Sequence, residues 1–578
     1  MVAVTLVEPS DGRALADGQP PTTDDNDSTG GDSIAGDPLV GDSIVGDSIV
    51  GDSNAGDSAF SDRDNQCEVH EDCPHLDSCV VAACVIGSCE YENAVVGVPC
   101  EDGEPCTLDD SCDGSGTCDP GPWDPCDDEE PCTGDHCEPG QGCVNTNDDS
   151  LACDDGDPCT QDDGCRDGAC VGSGVLDVCS TGVVTKSIGT NGRDFVTLQA
   201  WEDGRQGDLT TRVVLAAKNG GVLLAREGVA GTSCAGTHVC EDDACSNGAF
   251  VTLDDVTGSC APGDVLQGSL SGSTFEVVGI LRSGDVIEKG EAYNDAPFQE
   301  SVVIEGSNTG PLAYMWLSVA LGESHTGVAG AGVKLQPTVP GHGVTILDDN
   351  TRVSGLEILD WCRDNAGSFD GINVRADQVM IEHVMIHDDG HGAEANSDAN
   401  GITAELDGIT VTVINSIVYN IARSGITIHN VDDVALNVMS CTLYSCTEKD
   451  NAGTSYGCLG MYGSGGSVTH AQNVVALQPP LAGTGAAFFQ SGSTSSTWGA
   501  SSNNLSSDSS APGANGWIDQ VPADQIISTS RGSEDLHLEA DSAAIDRGAD
   551  LSPEIVDDID GDERPLGAAY DIGADEAL

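Results

Sequence analysis

The sequence predicts an all-β chain whose main body, residues 181–578, is a solenoid of stacked parallel coils. Before it come a disulfide-rich module of small repeats and a disordered acidic linker. Three observations carry this prediction. Short β-branched runs led by glycine recur through the C-terminal part. Of the 26 cysteines, 18 fall between Cys67 and Cys179. The first 66 residues hold a five-residue Gly-Asp repeat and almost no aromatic residue.

The solenoid is read from spacing. Runs start at Gly343 (GVTI), Gly371 (GINV), Gly401 (GITA), Gly425 (GITI) and Gly457 (GCLGM), separated by 28, 30, 24 and 32 residues. Each is followed about ten residues later by a second run, such as Ile409–Val413 or Val434–Val438. Strands at this period without intervening helices exclude a βαβ fold and suit coils that stack inward residues on the coil below. Aligning the second runs puts Asn415, Ser440 and Asn473 in register, where stacked polar side chains would satisfy one another at a tight turn. Loops of unequal length between the runs would build any groove.

The cysteine module spans 67–180. Cys100, Cys106, Cys112 and Cys118 are followed at nearly the same spacing by Cys126, Cys132, Cys137 and Cys143, then by Cys153, Cys159, Cys165 and Cys170. So few apolar residues cannot form a core, and bridges within each unit are expected to hold it. Paired CxxC zinc ligands are absent from the sequence, so disulfides and an oxidising compartment are the better reading. That places the protein outside the cytoplasm, at the cell surface or beyond. Met1–Pro9 lacks the charge and apolar run of a signal peptide, so a leader missing from this sequence is expected. No stretch approaches the roughly 20 apolar residues of a membrane span.

Residues 1–66 repeat GDSIA, GDPLV, GDSIV, GDSIV, GDSNA and GDSAF from Gly31. They cannot bury enough apolar surface to offset chain entropy and read as an extended stalk. The net charge of −78, from 98 acidic and 20 basic residues, repels nucleic acid and anionic lipid and attracts divalent cations. Solubility or adaptation to salt explains the same charge equally well.

The repeat texts CEDGEPCTLDDSC, CDDEEPCTGDHC and CDDGDPCTQDDGC resemble the Dictyostelium (slime mould) repeat, a surface module without established catalysis. Residues 181–540 and the closing segment 541–578 resemble right-handed parallel β-helix proteins of the pectin-lyase-like superfamily. The likeness rests on the opening stretch Ser187–Trp201 (SIGTNGRDFVTLQAW), similar to the cap of many such bacterial proteins. It rests also on a tail with Ser542–Gly548 (SAAIDRG), Asp558–Asp562 (DIDGD), Arg564-Pro565 and Asp571–Gly573 (DIG), similar to a choice-of-anchor segment. Residues 229–262, with Cys234, Cys240, Cys245 and Cys260, depart from the pattern and are expected to form a stapled loop.

The densest polar constellation is Asp370 with Asn373, then Glu382, His383, His387, Asp388, Asp389 and His391. Asp370 precedes the Asp pair by 18 and 19 residues, under one coil, so these carboxylates could meet on adjacent coils and divide acid and base roles. The pattern is similar to part of the polygalacturonase family. Ser368-Phe369 stands where that family has Asn-Thr, His387 stands where it has Gly, and its Gly-His-Gly and Arg-x-Lys motifs are missing. A lyase would need calcium and a basic group; Arg363, Arg375, Arg423 and Lys449 are the available cations, with Arg375 nearest the constellation. His383, His387 and His391 with Asp389 could hold a metal, or could end a coil as satisfied polar residues. Asp558, Asp560 and Asp562 look like a short calcium loop, or a solvated acidic turn.

Three functions follow as expectations. A surface protein that binds glycan or a partner cell explains most; a polysaccharide lyase or glycoside hydrolase acting on acidic polysaccharide is the catalytic alternative; a purely structural spacer or adhesin is the third. Oligomeric state is not encoded legibly.

Overall fold

The computed structural model describes residues 67–577 except 76–77, 124–125, 161, 219–220, 240–249, 364–367, 390–397, 448–455, 463–464, 480–484 and 492–494. The pentad stalk, His391, Lys449, Cys240 and Cys245 lie outside the described residues. The chain divides into two compact units at Asp148/Asp149.

In the first unit, hairpins such as Val80–Val85 with Ser88–Asn93 and Thr133–Glu138 with Gly142–Asn147 are pinned by disulfides. Cys100–Cys118 and Cys126–Cys143 close single repeats, whereas Cys79–Cys112 and Cys106–Cys137 join one repeat to the next. The expected bridges within each unit are present, and bridges between units, which were not expected, are added to them. Repeats without an apolar face have nothing else with which to stack on one another.

The second unit is a right-handed parallel β-helix, the hand that parallel crossovers take. Three sheets run its length. The first holds nine strands from Val183–Ile188 to Thr497–Trp498, the second seven from Lys334–Leu335 to Leu505–Ser506, and the third seven from Val302–Ile304 to Ala486–Gln490. One coil is Val379–Glu382, Met385–His387 and Asn400–Ala404, each strand in a different sheet. Its inward residues form ladders: Val353, Ile381, Val413 and Val438 in the first sheet, Ile358, Ile386, Val418 and Leu443 in the second. All are buried.

The leading glycines have a steric reason. A Cβ on Gly401 would lie 2.4 Å from the Gly425 carbonyl oxygen and 2.6 Å from Val418. At Gly371 the same atom would meet the Gly401 carbonyl at 2.8 Å. Each glycine makes room for the next coil, which is why the sequence spaces them at one coil.

Helix Leu198–Arg205 caps the open end of the solenoid. Thr197 accepts a hydrogen bond from the Ala200 amide at 3.1 Å, and Leu198 and Trp201 are buried in the solenoid core. The cysteine-bearing insertion is larger than a stapled loop. Strands between Val213 and Ser283 close an antiparallel barrel around Leu215, Leu253, Leu266 and Phe275, and Cys234–Cys260 staples it. Its alternating pattern, as in Thr274–Ser283, supplies a second apolar core that cysteine spacing alone did not reveal.

The corner between the first and second sheets uses left-handed residues, among them His383, Asn415, Ser440, Asn473 and Asn503. Asn415, Ser440 and Asn473 stack in register as the alignment required. They do not satisfy one another, however. Asn415 donates to the Asp557 carbonyl at 2.7 Å, and Asn473 both donates to the Ala549 carbonyl at 2.9 Å and accepts from its amide at 2.7 Å. The closing segment, with the strand Asp535–Leu538 that leads into it, runs along this corner and covers the outer face of the second sheet, packing Leu536, Leu538, Ile559 and Ile572 on Met385, Ile417 and Val475.

Candidate functional site

The third sheet carries the polar face. Parallel register stacks Asp370, Asn400 and Ser424 in one row and Asn373, Thr403 and Thr427 in another. A further row follows from the same register: Arg375, Glu405 and His429 are each the next residue after Val374, Ala404 and Ile428, and His429 pairs with Tyr462. Asn373 Nδ2 donates to Asp370 Oδ2 at 2.8 Å and to Glu405 Oε2 at 3.1 Å. Asn400 Nδ2 donates to the other Asp370 oxygen at 2.9 Å. His342 Nδ1 accepts the Asp370 amide at 2.9 Å, so its own proton sits on Nε2.

The pKa values of the two carboxylates bridged by Asn373 are shifted in opposite directions. Burial pushes the Asp370 carboxyl up against its hydrogen bonds from Asn400 and Asn373. The His429 imidazole foremost, outweighing burial, pulls Glu405 down to about 2; the two groups are 3.6 Å apart. One amide thus joins a carboxyl whose pKa is raised to a carboxylate whose pKa is lowered.

Aromatic rings border this row. Tyr462 lies over Gly460, where a Cβ would come 2.6 Å from the ring, and stacks on Phe489 with centroids 5.2 Å apart. Its hydroxyl accepts the Gly457 amide at 3.0 Å. Arg423 sits 4.4 Å over the Tyr456 ring, and His342 meets Phe369 edge-on at 5.5 Å. Tyr456, Tyr462, Phe489 and Phe369 are all half-buried.

Asp388, Asp389 and His387 belong elsewhere. His387 ends its strand in the second sheet, with Nδ1 3.0 Å from Asp388 and Nε2 3.0 Å from Glu357, and Tyr419 stacked 4.7 Å away. Burial opposes its charge, but the two flanking carboxylates win and raise it to about 9. Asp388 also takes Asn420 Nδ2 at 3.1 Å and Arg531 at 3.5 Å, so it anchors the stretch that leads into the closing segment. Asp389 is wholly buried and accepts the Ala422 amide at 3.0 Å. The structure thus brings Asp370 and Arg375 onto one face and His387 and Asp388 onto another, and the expected meeting of Asp370 with Asp388 is not what the coils produce. They fold these residues into different sheets with separate partners. His383 sits at the corner, 3.3 Å from Asp557, away from the His387 ring's partners. Arg363 pairs with Asp360 at 2.8 Å.

In the closing segment, Asp558 is buried and its oxygens accept the amides of Asp560, Asp562 and Glu576 at 2.8–3.0 Å. Asp560 turns to His537 Nε2 at 3.2 Å, and Asp562 is exposed.

Glu405, His342, His429 and the Tyr462–Phe489 stack were not singled out from sequence. The signal was present, since Arg375, Glu405 and His429 all lie four residues beyond their leading glycines.

No family model and no curated protein matches the chain. Among solved structures, a pectate lyase (Pel9A) aligns with 51% of this chain and 88% of its own length, at 12% identity and a TM-score of 0.27. A likeness that low transfers neither substrate nor mechanism. The fold and the face together define a disulfide-bonded β-helix protein, and among the described residues no helix is long and apolar enough to cross a membrane.

Proposed function

We propose that this is a secreted or cell-surface protein whose β-helix binds polysaccharide along the third sheet. The observation that carries the reading is the Asp370–Asn373–Glu405 hydrogen-bond chain across the rows, bordered by the half-buried Tyr462–Phe489 stack. Sugar hydroxyls match carboxylate and amide groups, and the apolar faces of sugar rings match aromatic faces. The disulfides support an oxidising compartment, as do the resemblances to slime-mould repeats, to the pectin-lyase-like superfamily and to a choice-of-anchor tail. The excess of negative charge favours neutral or amino sugars over uronates.

A second reading has a specific observation behind it. Asp370 as acid and Glu405 as base, held by one amide, would suit glycoside hydrolysis, with Arg375 beside them orienting the substrate. Calcium, whether at Asp558, Asp560 and Asp562 or elsewhere, is part of the lyase variant of this reading.

A panel of neutral, amino and acidic polysaccharides tests all of these, with binding and cleavage each measured with and without chelator. Binding without cleavage, weakened at least tenfold in Tyr462→Ala and in Glu405→Gln, is the expected result. Cleavage abolished by Asp370→Asn would replace it with the hydrolase reading. Neither binding nor cleavage would leave a structural spacer and sink the proposal.

A further inference from the structure

The closing segment and the strand Asp535–Leu538 that leads into it hold a constellation that the glycan reading does not use. His537 Nε2, a carboxylate oxygen of Asp560 and one of Asp575 all lie within 4.8 Å of one another. Two features separate it from an ordinary acidic turn.

The first is the arrangement behind the histidine. His537 Nδ1 is hydrogen-bonded to Asp535 at 2.5 Å, which fixes the ring and leaves Nε2 pointing at the two other carboxylates. A carboxylate behind an imidazole whose other nitrogen faces a cluster of donors is the outer-shell pattern of histidine metal ligands. Asp575 is held in the same manner, one oxygen accepting the Leu538 amide at 2.7 Å.

The second is the room kept in front of the site. Gly327, with φ +65°, lies where a Cβ would come 2.4 Å from His537 Nε2 and 3.2 Å from Asp560 Oδ1. Any side chain there would press on the two donor atoms.

We infer that His537, Asp560 and Asp575 bind a divalent transition-metal ion, zinc or manganese, with Asp535 as the positioning carboxylate behind His537. An imidazole joined to two carboxylates offers borderline nitrogen and few oxygens, which suits zinc or manganese. Calcium asks for six to eight oxygens. Asp560 is exposed, which gives the ion an entry path, and Asp575 is buried. The ion would tie Asp560 and Asp575 to the strand Asp535–Leu538 and so lock the closing segment onto the second sheet.

The test uses the full chain with zinc chloride, manganese chloride and calcium chloride as probes, in calorimetric titration and thermal melting. Expected is one equivalent of zinc or manganese bound tightly enough to survive excess calcium, and a rise in the melting temperature on loading. His537→Gln and Asp575→Asn should each weaken that binding at least a hundredfold, while Asp562→Asn, on the same turn, should leave it unchanged. Cobalt(II) substitution should give a visible band that His537→Gln abolishes, a readout independent of stability. Binding unchanged in both His537→Gln and Asp575→Asn would overturn the assignment, and so would binding displaced by millimolar calcium. Should either variant fail to fold, Gly327→Ala, which crowds the donors from the opposite loop, must lower zinc affinity; equal affinity there would also overturn it.

Discussion

The Cys-rich module and the β-helix solve the same problem in opposite ways. The module has almost no apolar interior: small groups such as Cys67, Cys73 and Cys89 are most of what it buries, and covalent bridges hold each repeat and join it to its neighbour. The solenoid's interior is a continuous aliphatic ladder, and its cysteines Cys362, Cys441, Cys446 and Cys458 are buried in it and pack as small hydrophobes. A repeat can be stacked either by a shared apolar column or by a disulfide between units, and one chain uses each where its composition permits.

Reduction should break the comparison most visibly. A bridge closing a loop of about 15 residues contributes roughly 3 kcal/mol, and the first unit has little else, so dithiothreitol should unfold 67–148 completely while the parallel sheets persist. Limited proteolysis before and after reduction, read by mass spectrometry, checks this. Loss of both units together would refute the division. The converse experiment is Ile386→Ala, which removes one rung of the second sheet's ladder and should cost about 2–5 kcal/mol in the solenoid alone, measured as a shift in urea midpoint. Gly401→Val should be at least as damaging, because its side chain meets the backbone of the next coil.

A smaller effect concerns the stretch that leads into the closing segment. His387 is raised from 6.5 to about 9 by Asp388 and Glu357, so its folded state binds the proton more tightly than the unfolded chain does. The stabilisation is fully present below about pH 6.5 and is lost as pH rises through about 9. Urea midpoints at pH 6 and pH 10 should differ more for the native protein than for His387→Gln. An unchanged difference would remove His387 from the account. Smallest for stability, though largest for binding, is Tyr462→Ala: its ring lies on the surface of the third sheet, so the fold should change little.

Much of this architecture was legible in the sequence. Gly343, Gly371, Gly401 and Gly425 announce the coils because a Cβ there would strike the neighbouring coil, and steric necessity leaves a periodic mark. The corner residues Asn415, Ser440 and Asn473 aligned for the same reason, since the backbone there needs a left-handed conformation. What they bond to was not legible, because the partner is a segment more than a hundred residues away for Asn415. The barrel was hidden behind its cysteines. The site was half legible: Asp370 and Arg375 stood out by composition, but Glu405 and His429 gain meaning only from parallel register. Asp388 and Asp389 drew attention as a carboxylate pair, yet their roles are to hold the stretch that leads into the closing segment and the coil above. Sequence proximity within a coil does not distinguish one sheet from the next.

Register is also where the account is most exposed. Glu405→Cys paired with Arg375→Cys, and separately with His429→Cys, places thiols on adjacent parallel strands about 4.8 Å apart. A short bifunctional thiol reagent should link both pairs rapidly in the folded chain and leave a Glu405→Cys/Asp388→Cys pair unlinked. Efficient linking of Glu405→Cys to Asp388→Cys, with neither neighbouring pair reacting, would contradict the stacked face from which the binding proposal is built.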